Sequence, residues 1–371
     1  MIENSIGDTL LRIHNSLRSQ FHQLCRVAVA IYDQPSDTLK TFANSTDGES
    51  PLMFYEVKLA DVPSLQQLAR DGKPRVLDDL DILRRANTLH SRKIVEAGYH
   101  SSYTEPLIFD DQLVGFLFFD SDKPCYFNQR VIDKLQPYAK VLAAIVAVQF
   151  AAIRTLSGAV TVAREFSRHR DEETANHLRR MSTYSRLIAK TVAPGFGLGD
   201  EEVEFIFNFS QLHDIGKIAI ADAILLKPGK LTPEEYREAQ AHVARGVEMA
   251  QMMIKEFGLE RIRHTDMLLN IIGCHHERYD GSGYPNGLKG EAIPIEGRIV
   301  AVADVFDALT SERPYKHAWA VNDAFAYLLR NAGTQFDPVC VEAAFACAEE
   351  FKQIQARYRD EPFLPEEQSS S

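Results

Sequence analysis

The sequence has few cysteines and no excess of positive charge, and each shortage excludes a class of protein. Its 5 cysteines are an odd number without Cys-x-x-Cys spacing, which argues against a disulfide framework and a structural zinc knuckle. With 41 basic against 52 acidic residues, the formal net charge is -11, which argues against a general nucleic-acid binder. We therefore expect a cytoplasmic protein that binds no nucleic acid polymer and needs a local positive site for any anionic ligand.

A long hydrophobic run is also missing. The longest apolar stretch, residues 141–153, is interrupted by Gln149 and is shorter than the roughly 20 residues that span a bilayer. The N-terminal segment MIENSIGDTL has no charged region followed by an apolar region, so it does not resemble a secretory signal. The sequence therefore predicts no membrane span.

What is present is the composition of ordinary globular domains. The chain has 371 residues, of which 45% are hydrophobic and 25% charged. At roughly 100–200 residues per domain, this length predicts two or three domains. We place an α+β domain and a connector helix at residues 1–150, an all-α domain at 151–358 and a disordered tail at 359–371.

The N-terminal part combines strand-like and helix-like segments. Residues 21–60 and 101–125 have the pattern of strands, with a predicted hairpin turn at 110–111. Helical stretches are expected at 63–70 and 79–97.

This arrangement resembles a GAF domain, including the segment SLQQLARDGKPRVLDDL, which is similar to the helix, tight turn and short strand of that family. The resemblance implies an antiparallel sheet with helices. Two roles stay open, because GAF domains bind small ligands or serve as dimerisation modules.

A long helix or helix pair is predicted between the two halves, because residues 127–168 are rich in apolar residues and contain only one proline, Pro137. Four apolar positions fall near heptad spacing: Ile132, Leu135, Leu142 and Ile145. They fit a helix packed on its own sheet or a parallel helical connector in a homodimer. From about 159 to 357 nearly everything appears helical, apart from a glycine-rich segment at 280–297.

Several histidines of the C-terminal half lie beside carboxylates. Glu173 and His177 are four residues apart, so a helix places them on one face, with an exposed pair as the alternative. His213 and Asp214 follow an apolar helical stripe. Adjacent residues on a helix diverge by about 100°, so these two can share a site only if a metal cluster straddles the helix edge. Gly216 is expected to end that helix and to let other groups approach closely.

Three further histidines extend this pattern. His242 is expected in the middle of a helix, where by itself it would be an ordinary histidine. His275 and His276 precede a turn at 281–285 whose glycines permit positive φ. Two imidazoles next to a rigid loop indicate a site.

Asp304 is an acidic residue within an otherwise apolar helix. Burying it unpaired would be costly. A bound metal would offset that cost, and a salt bridge to Arg298 or Arg313 is the alternative.

Four segments resemble the HD-GYP family, a branch of the HD metal-dependent phosphohydrolases. They are HDIGK, KPGKLTPEE, HHERYDGSGYPNGL and ADVFDALTSERPYK, and the match extends over roughly residues 159–345. The resemblance implies an all-α HD-domain helical bundle, joined to the N-terminal domain by the long helix. It also implies hydrolysis of cyclic di-GMP to linear pGpG, and often on to GMP, with a bound iron or manganese cluster.

The resemblance also assigns residues. Those that match the family's metal ligands are His177, His213, Asp214, His242, His275, His276 and Asp304, with Glu173 added in members that hold three metals rather than two. Asp214 is the expected bridge between metals, and Lys217 is expected to steady the phosphate or the departing oxygen. Those that match substrate contacts are Tyr284, Arg313 and Lys316, and Asp280 is expected to orient a histidine.

Alternatives to this function stay open at the level of sequence. The substrate of the phosphodiesterase could instead be a related cyclic dinucleotide such as cyclic GMP-AMP, or linear pGpG alone. A degenerate protein that binds the dinucleotide without hydrolysing it is the alternative from another class. The interval between His242 and His275 is longer than usual for the family, which bears on substrate access. A homodimer formed through the GAF-like domain and the connector helix is also expected.

Overall fold

The structure of the protein is a computed structural model that describes residues 5–46, 50, 52–85, 89–166, 175–261, 264–312 and 317–359. These residues form two compact units. The first contains the residues up to Leu156, the segment Leu198–Glu204 and the segment that begins at Phe257, and the second contains the remaining residues. The predicted domain boundaries stay predictions. Among the described residues, no helix has the length and apolar character needed to cross a membrane.

The first unit is built on a six-stranded antiparallel sheet with the strand order β3-β2-β1-β6-β5-β4. The strands are β1 (Leu24–Asp33), β2 (Thr38–Thr46), β3 (Glu56–Lys58), β4 (Arg75–Leu77), β5 (Ser101–Phe109) and β6 (Gln112–Ser121). The helices of this unit are α1 (Ile6–Arg18), α2 (Pro63–Asp71), α3 (Leu89–Glu96) and the part of α4 (Gln129–Phe166) up to Leu156. The antiparallel sheet with helices confirms the α+β class predicted for this part of the chain.

Local turn chemistry explains where these elements begin and end. Asp110 and Asp111 join β5 to β6 with φ angles of 50° and 58°, the left-handed region that a two-residue hairpin turn requires. Helix α2 ends at Gly72, whose φ of 62° is the left-handed conformation that glycine adopts most readily. The predicted hairpin and the first predicted helix are therefore confirmed.

The long helix α4 is a single helix that contains Pro137. Its side chains Leu135, Leu142 and Val146 are buried within the single chain. The ring of Phe150 contacts that of Phe42 on β2 edge-on, at 4.7 Å between centroids. These contacts support the interpretation that the helix packs on its own sheet, and the homodimer stays a prediction.

Helices make up the second unit, and its described residues contain no strand. The helices after α4 are α5 (Ala175–Phe196), α6 (Asp200–Ser210), α7 (Asp222–Leu225), α8 (Pro233–Gln240), α9 (His242–Glu256), α10 (Thr265–Cys274), α11 (Ile295–Thr310), α12 (Val321–Arg330), α13 (Pro338–Ala346) and α14 (Ala348–Arg357). The residues of α6 up to Glu204 belong to the first unit. An aromatic core joins three of them: Tyr184 lies 4.3 Å from Phe351 and 5.2 Å from Phe306 between ring centroids. The all-α class predicted for the C-terminal domain is confirmed.

A glycine brings one loop of this unit against α9. A Cβ atom on Gly216 would lie 1.8 Å from the carbonyl oxygen of His242 and 2.6 Å from the nitrogen of Gly246. Only glycine fits there, because any side chain would overlap the backbone of α9. The predicted close approach at Gly216 is confirmed, and it holds the preceding residues His213 and Asp214 near the start of α9.

Candidate metal centre

Histidines and aspartates of the second unit gather into two groups of possible metal ligands. The first group is Asp214, His242, His275 and His276, and the second is His177, His213 and Asp304. Within each group the ligand atoms lie within 4.8 Å of one another. The structure thus brings seven of the predicted ligands together, while Glu173 lies outside the described residues. Their role as metal ligands stays a prediction.

Asp214 lies between imidazoles of both groups. Its Oδ1 is 3.1 Å from Nε2 of His242 and 3.5 Å from Nε2 of His275. Its Oδ2 is 3.0 Å from Nε2 of His213, which in turn lies 3.8 Å from Oδ1 of Asp304. The two carboxylate oxygens therefore face different histidines, the arrangement that a bridging ligand needs.

The backbone at His213 and Asp214 differs from the expected helix. Helix α6 ends at Ser210, and the two residues lie on a turn before a 3-10 helix at Ile215–Ala219. The constraint of 100° between helical neighbours therefore does not apply to them. His242 is the first residue of α9, so the expectation of a mid-helix position is also wrong.

Hydrogen bonds orient the imidazole rings. Nδ1 of His213 donates to the carbonyl oxygen of Ser210 at 3.0 Å, and Nδ1 of His242 donates to that of Ala239 at 2.7 Å. Nδ1 of His275 likewise donates to the carbonyl of Ile272 at 3.0 Å. Because a carbonyl oxygen can only accept, each neutral ring carries its proton on Nδ1 and presents the Nε2 lone pair.

The chemistry of these donors fits a metal ion. Nε2 of His242 and Nε2 of His275 are buried and have no hydrogen-bond partner among the described residues. Burial, together with the neighbouring His275, holds the pKa of His276 well below its ordinary value, which favours the neutral ring that can bind a metal. Buried imidazole nitrogens beside a carboxylate are a suitable ligand set for a transition metal.

Two residues that orient the ring of His177 were not predicted from the sequence. Nδ1 of His177 donates to Oδ2 of Asp307 at 2.7 Å, and Asp307 is fully buried. The guanidinium of Arg180 donates to both oxygens of the same carboxylate, at 2.6 and 2.9 Å. The only signal in the sequence is that Asp307 lies one helical turn after Asp304.

Of the two salt bridges considered for Asp304, the one to Arg298 is excluded. Arg298 instead forms a buried ion pair with Asp337, with Nη1 and Oδ2 2.5 Å apart. The other candidate partner, Arg313, lies outside the described residues. The Asp304 side chain is 18% exposed and faces His213.

Lys217 contacts the central carboxylate directly. Its Nζ lies 2.9 Å from Oδ2 of Asp214, and its side chain is 24% exposed. Burial by itself would raise the pKa of Asp214, but the Lys217 ammonium beside it lowers the pKa well below the ordinary value. Asp214 is therefore ionised at neutral pH.

The Gly-Tyr-Pro loop lies beside the same cluster. The ring of Tyr284 stacks on that of His276, with centroids 4.7 Å apart. A Cβ atom on Gly283 would lie 2.2 Å from the nitrogen of Arg278, so only glycine allows this path. Burial raises the pKa of the Tyr284 hydroxyl, so it stays protonated and can donate a hydrogen bond.

Acidic side chains shape this loop, and one of them has a different role from the predicted one. The buried carboxylate of Glu277 accepts hydrogen bonds from the backbone N–H groups of Asn286 at 2.8 Å and Leu288 at 3.0 Å. Asp280 was expected to orient a histidine, but it accepts from the backbone and hydroxyl of Ser282, and that expectation is wrong. The predicted substrate contacts Arg313 and Lys316 lie outside the described residues.

The residues of this cluster lie in a segment that is similar to a known family. Residues 169–340 match the family described as HD domain. The chain is 48% identical to the cyclic di-GMP phosphodiesterase response regulator RpfG of Xanthomonas campestris pv. campestris, over 50% of this chain and 46% of that protein. It is 41% identical to the 3'3'-cGAMP-specific phosphodiesterase 2 of Vibrio cholerae, over 52% of this chain and 34% of that protein. The chain thus spans half or less of the length of these relatives.

Solved structures resemble the chain more weakly. The cyclic GMP-AMP specific phosphodiesterase V-cGAP3 of Vibrio cholerae is 19% identical with a TM-score of 0.39, over 56% of this chain and 51% of that one. The GAF domain/HD domain protein from Geobacter sulfurreducens is 16% identical with a TM-score of 0.31, over 38% and 93% of the two chains. At these TM-scores the GAF resemblance of the first unit stays a prediction. Over residues 169–340, the chain is similar to the family described as HD domain.

Proposed function

We propose that this chain is a metal-dependent phosphodiesterase that hydrolyses cyclic di-GMP to linear pGpG, with further hydrolysis to GMP left to the product analysis below. The position of Asp214, whose two carboxylate oxygens face histidines of both groups of possible ligands, carries the proposal. Relatives of the HD domain, such as the response regulator RpfG, are named cyclic di-GMP phosphodiesterases.

We propose two or three iron or manganese ions as the cofactors. The seven clustered side chains offer nitrogen and oxygen atoms without a thiolate, a donor set that suits these metals. Bound ions of this kind supply Lewis acidity and a source of hydroxide at neutral pH, both of which an anionic phosphodiester needs for hydrolysis.

The chain's own residues prepare that chemistry. Hydrogen bonds from Nδ1 to backbone carbonyls hold the rings of His213, His242 and His275 in place, so little reorganisation accompanies metal binding. The ammonium of Lys217 lies beside Asp214 and is partly exposed, which allows it to steady a substrate phosphate or the departing oxygen.

Three residues are proposed as substrate contacts. The stacked ring of Tyr284 offers a protonated hydroxyl next to His276. Arg313 and Lys316 are proposed from the family resemblance to contact the phosphates. Together with bound metal ions they would supply the local positive charge that an overall acidic protein needs to bind an anion.

Glu173 is proposed to hold a third metal ion. Glu173→Ala is expected to lower the metal content by about one ion per chain, while the neighbouring substitution Glu172→Ala leaves it unchanged. Metal analysis of the two variants side by side tests this role. An unchanged metal content in Glu173→Ala would leave Glu173 as a surface acid.

Regulation, assembly and location complete the proposal. We propose that the first unit regulates the HD domain, that the chain forms a homodimer through this unit and α4, and that it acts in the cytoplasm. Sedimentation of the purified protein tests the assembly, because a chain of 41.8 kDa and its dimer differ twofold in mass.

A second substrate is favoured by one relative. The Vibrio cholerae protein that is 41% identical is named as specific for 3'3'-cGAMP, and the HD domain resembles both kinds of enzyme. Turnover rates on cyclic di-GMP, cyclic GMP-AMP and linear pGpG, measured on one preparation, decide between these substrates.

Product analysis tests the proposed reaction. Metal-loaded protein is incubated with cyclic di-GMP, and the nucleotides are separated by chromatography. We expect pGpG first and GMP later. Tight binding of cyclic di-GMP without release of either product would contradict hydrolysis and indicate a binding protein.

A further inference from the structure

A cavity of about 290 Å³ lies within the first unit, on one face of its sheet. Apolar side chains form most of its wall, among them Leu39, Leu65, Leu77, Leu80 and Phe118. A cavity of this size and composition is typical of sites for small organic molecules.

In one cross-strand row of polar residues at this cavity, the charges are paired, although Nε of Arg26 has no hydrogen-bond partner among the described residues. Arg26 on β1 faces Asp120 on β6, which faces Ser102 on β5. Nη1 of Arg26 lies 2.6 Å from Oδ2 of Asp120, and the hydroxyl of Ser102 donates to Oδ1 at 2.7 Å. The charges of Arg26 and Asp120 therefore offset each other.

In the adjacent cross-strand row, buried hydrogen-bond donors have no acceptor among the described residues. Arg75 on β4 faces Thr104 on β5, which faces Phe118 on β6, and all three line the cavity. Nε and Nη1 of Arg75 and Oγ1 of Thr104 are buried and have no hydrogen-bond partner in the described part of the chain. Buried donors of this kind are rare in folded proteins and point to a missing acceptor.

The charge of the wall is unbalanced at the same place. Besides the Arg26 and Asp120 pair, Lys40 forms an ion pair with Glu204 at 3.3 Å, and Asp61 is exposed. Arg75 is the remaining cation of the wall, and burial lowers its pKa from the ordinary value. An anion bound beside Arg75 would accept hydrogen bonds from its buried N–H groups and offset its positive charge.

We propose that this cavity binds an organic monocarboxylate with an apolar body, with its carboxylate at Arg75 and Thr104 and its apolar part among the leucines. One unbalanced cation matches one negative charge, whereas a phosphate monoester would bring close to two. A nucleotide fits less well, because its ribose hydroxyls would lie against apolar side chains without partners.

Calorimetric titration of the full chain tests this proposal. The probes are indole-3-acetate, 4-phenylbutyrate and octanoate, each paired with its neutral primary amide. We expect at least one carboxylate to bind with one site per chain, and its amide to bind at least about tenfold more weakly. Failure of all three carboxylates to bind would overturn the proposal.

Substitutions locate the site. Arg75→Gln is expected to weaken binding by about tenfold or more, and Thr104→Val by about threefold, while Arg70→Gln, an exposed arginine on α2, stays within about twofold of the wild type. Circular dichroism confirms that each variant is folded. Should Arg75→Gln fail to fold, Thr104→Val, which keeps the shape of the side chain, decides. Equal affinity in the folded cavity variants would overturn the proposal.

Discussion

The helical unit and the sheet unit both bury charged side chains, but they give them different partners. In the helical unit, Asp307 accepts hydrogen bonds from His177, Arg180 and Ser311. In the sheet unit, Arg75 has buried donors without an acceptor among the described residues. The buried polar groups around His177 thus form a connected network. In the sheet unit, Arg75 instead lies beside a mostly apolar cavity without an ion pair among the described residues.

This difference separates two kinds of site. Converging imidazoles and carboxylates supply ligands for metal ions, and hydrolysis needs such a set. A cavity with mostly apolar walls and one cation that lacks an anionic partner supplies affinity for an anion. Substitutions in the two units should therefore have separable effects on metal content, hydrolysis and stability.

The largest effect is expected at the carboxylate shared by the two ligand groups. Asp214→Asn keeps the shape but removes the charge that faces His213 and His242. We expect hydrolysis of cyclic di-GMP to fall by at least about 1,000-fold, together with a loss of metal. Asp323→Asn, at an exposed acid on α12, is the control and should keep both. An Asp214→Asn protein with full metal content and activity would exclude a bridging role.

A smaller effect is expected at the positioning residue Asp307. Asp307→Asn weakens the hold on His177, so metal affinity should fall by about 10- to 100-fold. Metal content measured at limiting metal gives the readout. If Asp307 acts through His177, the double variant that carries both Asp307→Asn and His177→Ala should bind metal as strongly as the single variant His177→Ala. Additive losses would instead indicate that Asp307 only supports the fold.

Two substitutions at Tyr284 distinguish the contribution of ring stacking from that of hydrogen bonding. Tyr284→Ala should raise KM for cyclic di-GMP by about tenfold through the loss of both, whereas Tyr284→Phe keeps the stack on His276. Steady-state kinetics at full metal loading measures KM for both variants. Unchanged KM in the alanine variant would remove Tyr284 from the substrate contacts.

The smallest effect on metal content is expected in the sheet unit. Asp120→Asn breaks the buried pair with Arg26 and should lower the free energy of unfolding of this unit by roughly 3 kcal/mol. Metal content should stay unchanged. Denaturation followed by circular dichroism measures the change, with the half-exposed Asp122→Asn as control. A loss of metal in Asp120→Asn would contradict the separation of the two sites.

Local sequence signals predicted the elements of the fold well. The hairpin at Asp110 and Asp111 and the end of α2 at Gly72 depend on residues adjacent in the chain. The end of α6 was less predictable, because the apolar stripe continues past Ser210 to Leu212 while the helix does not.

Contacts between distant residues were not predictable in the same way. Arg180 and Asp307 are separated by 127 residues and meet only because α5 packs on α11. The juxtaposition of Arg75 and Thr104 likewise depends on the pairing register of β4 and β5. The family's motifs identified the candidate ligands, but they carried no information on the groups that orient them.

Metal analysis of anaerobically purified protein tests most directly whether the imidazoles and aspartates clustered in the second unit form a multinuclear centre. We predict two or three transition-metal ions per chain, with iron or manganese predominant, and their loss in Asp214→Asn. One ion or none per wild-type chain would contradict the centre and, with it, the proposed hydrolysis.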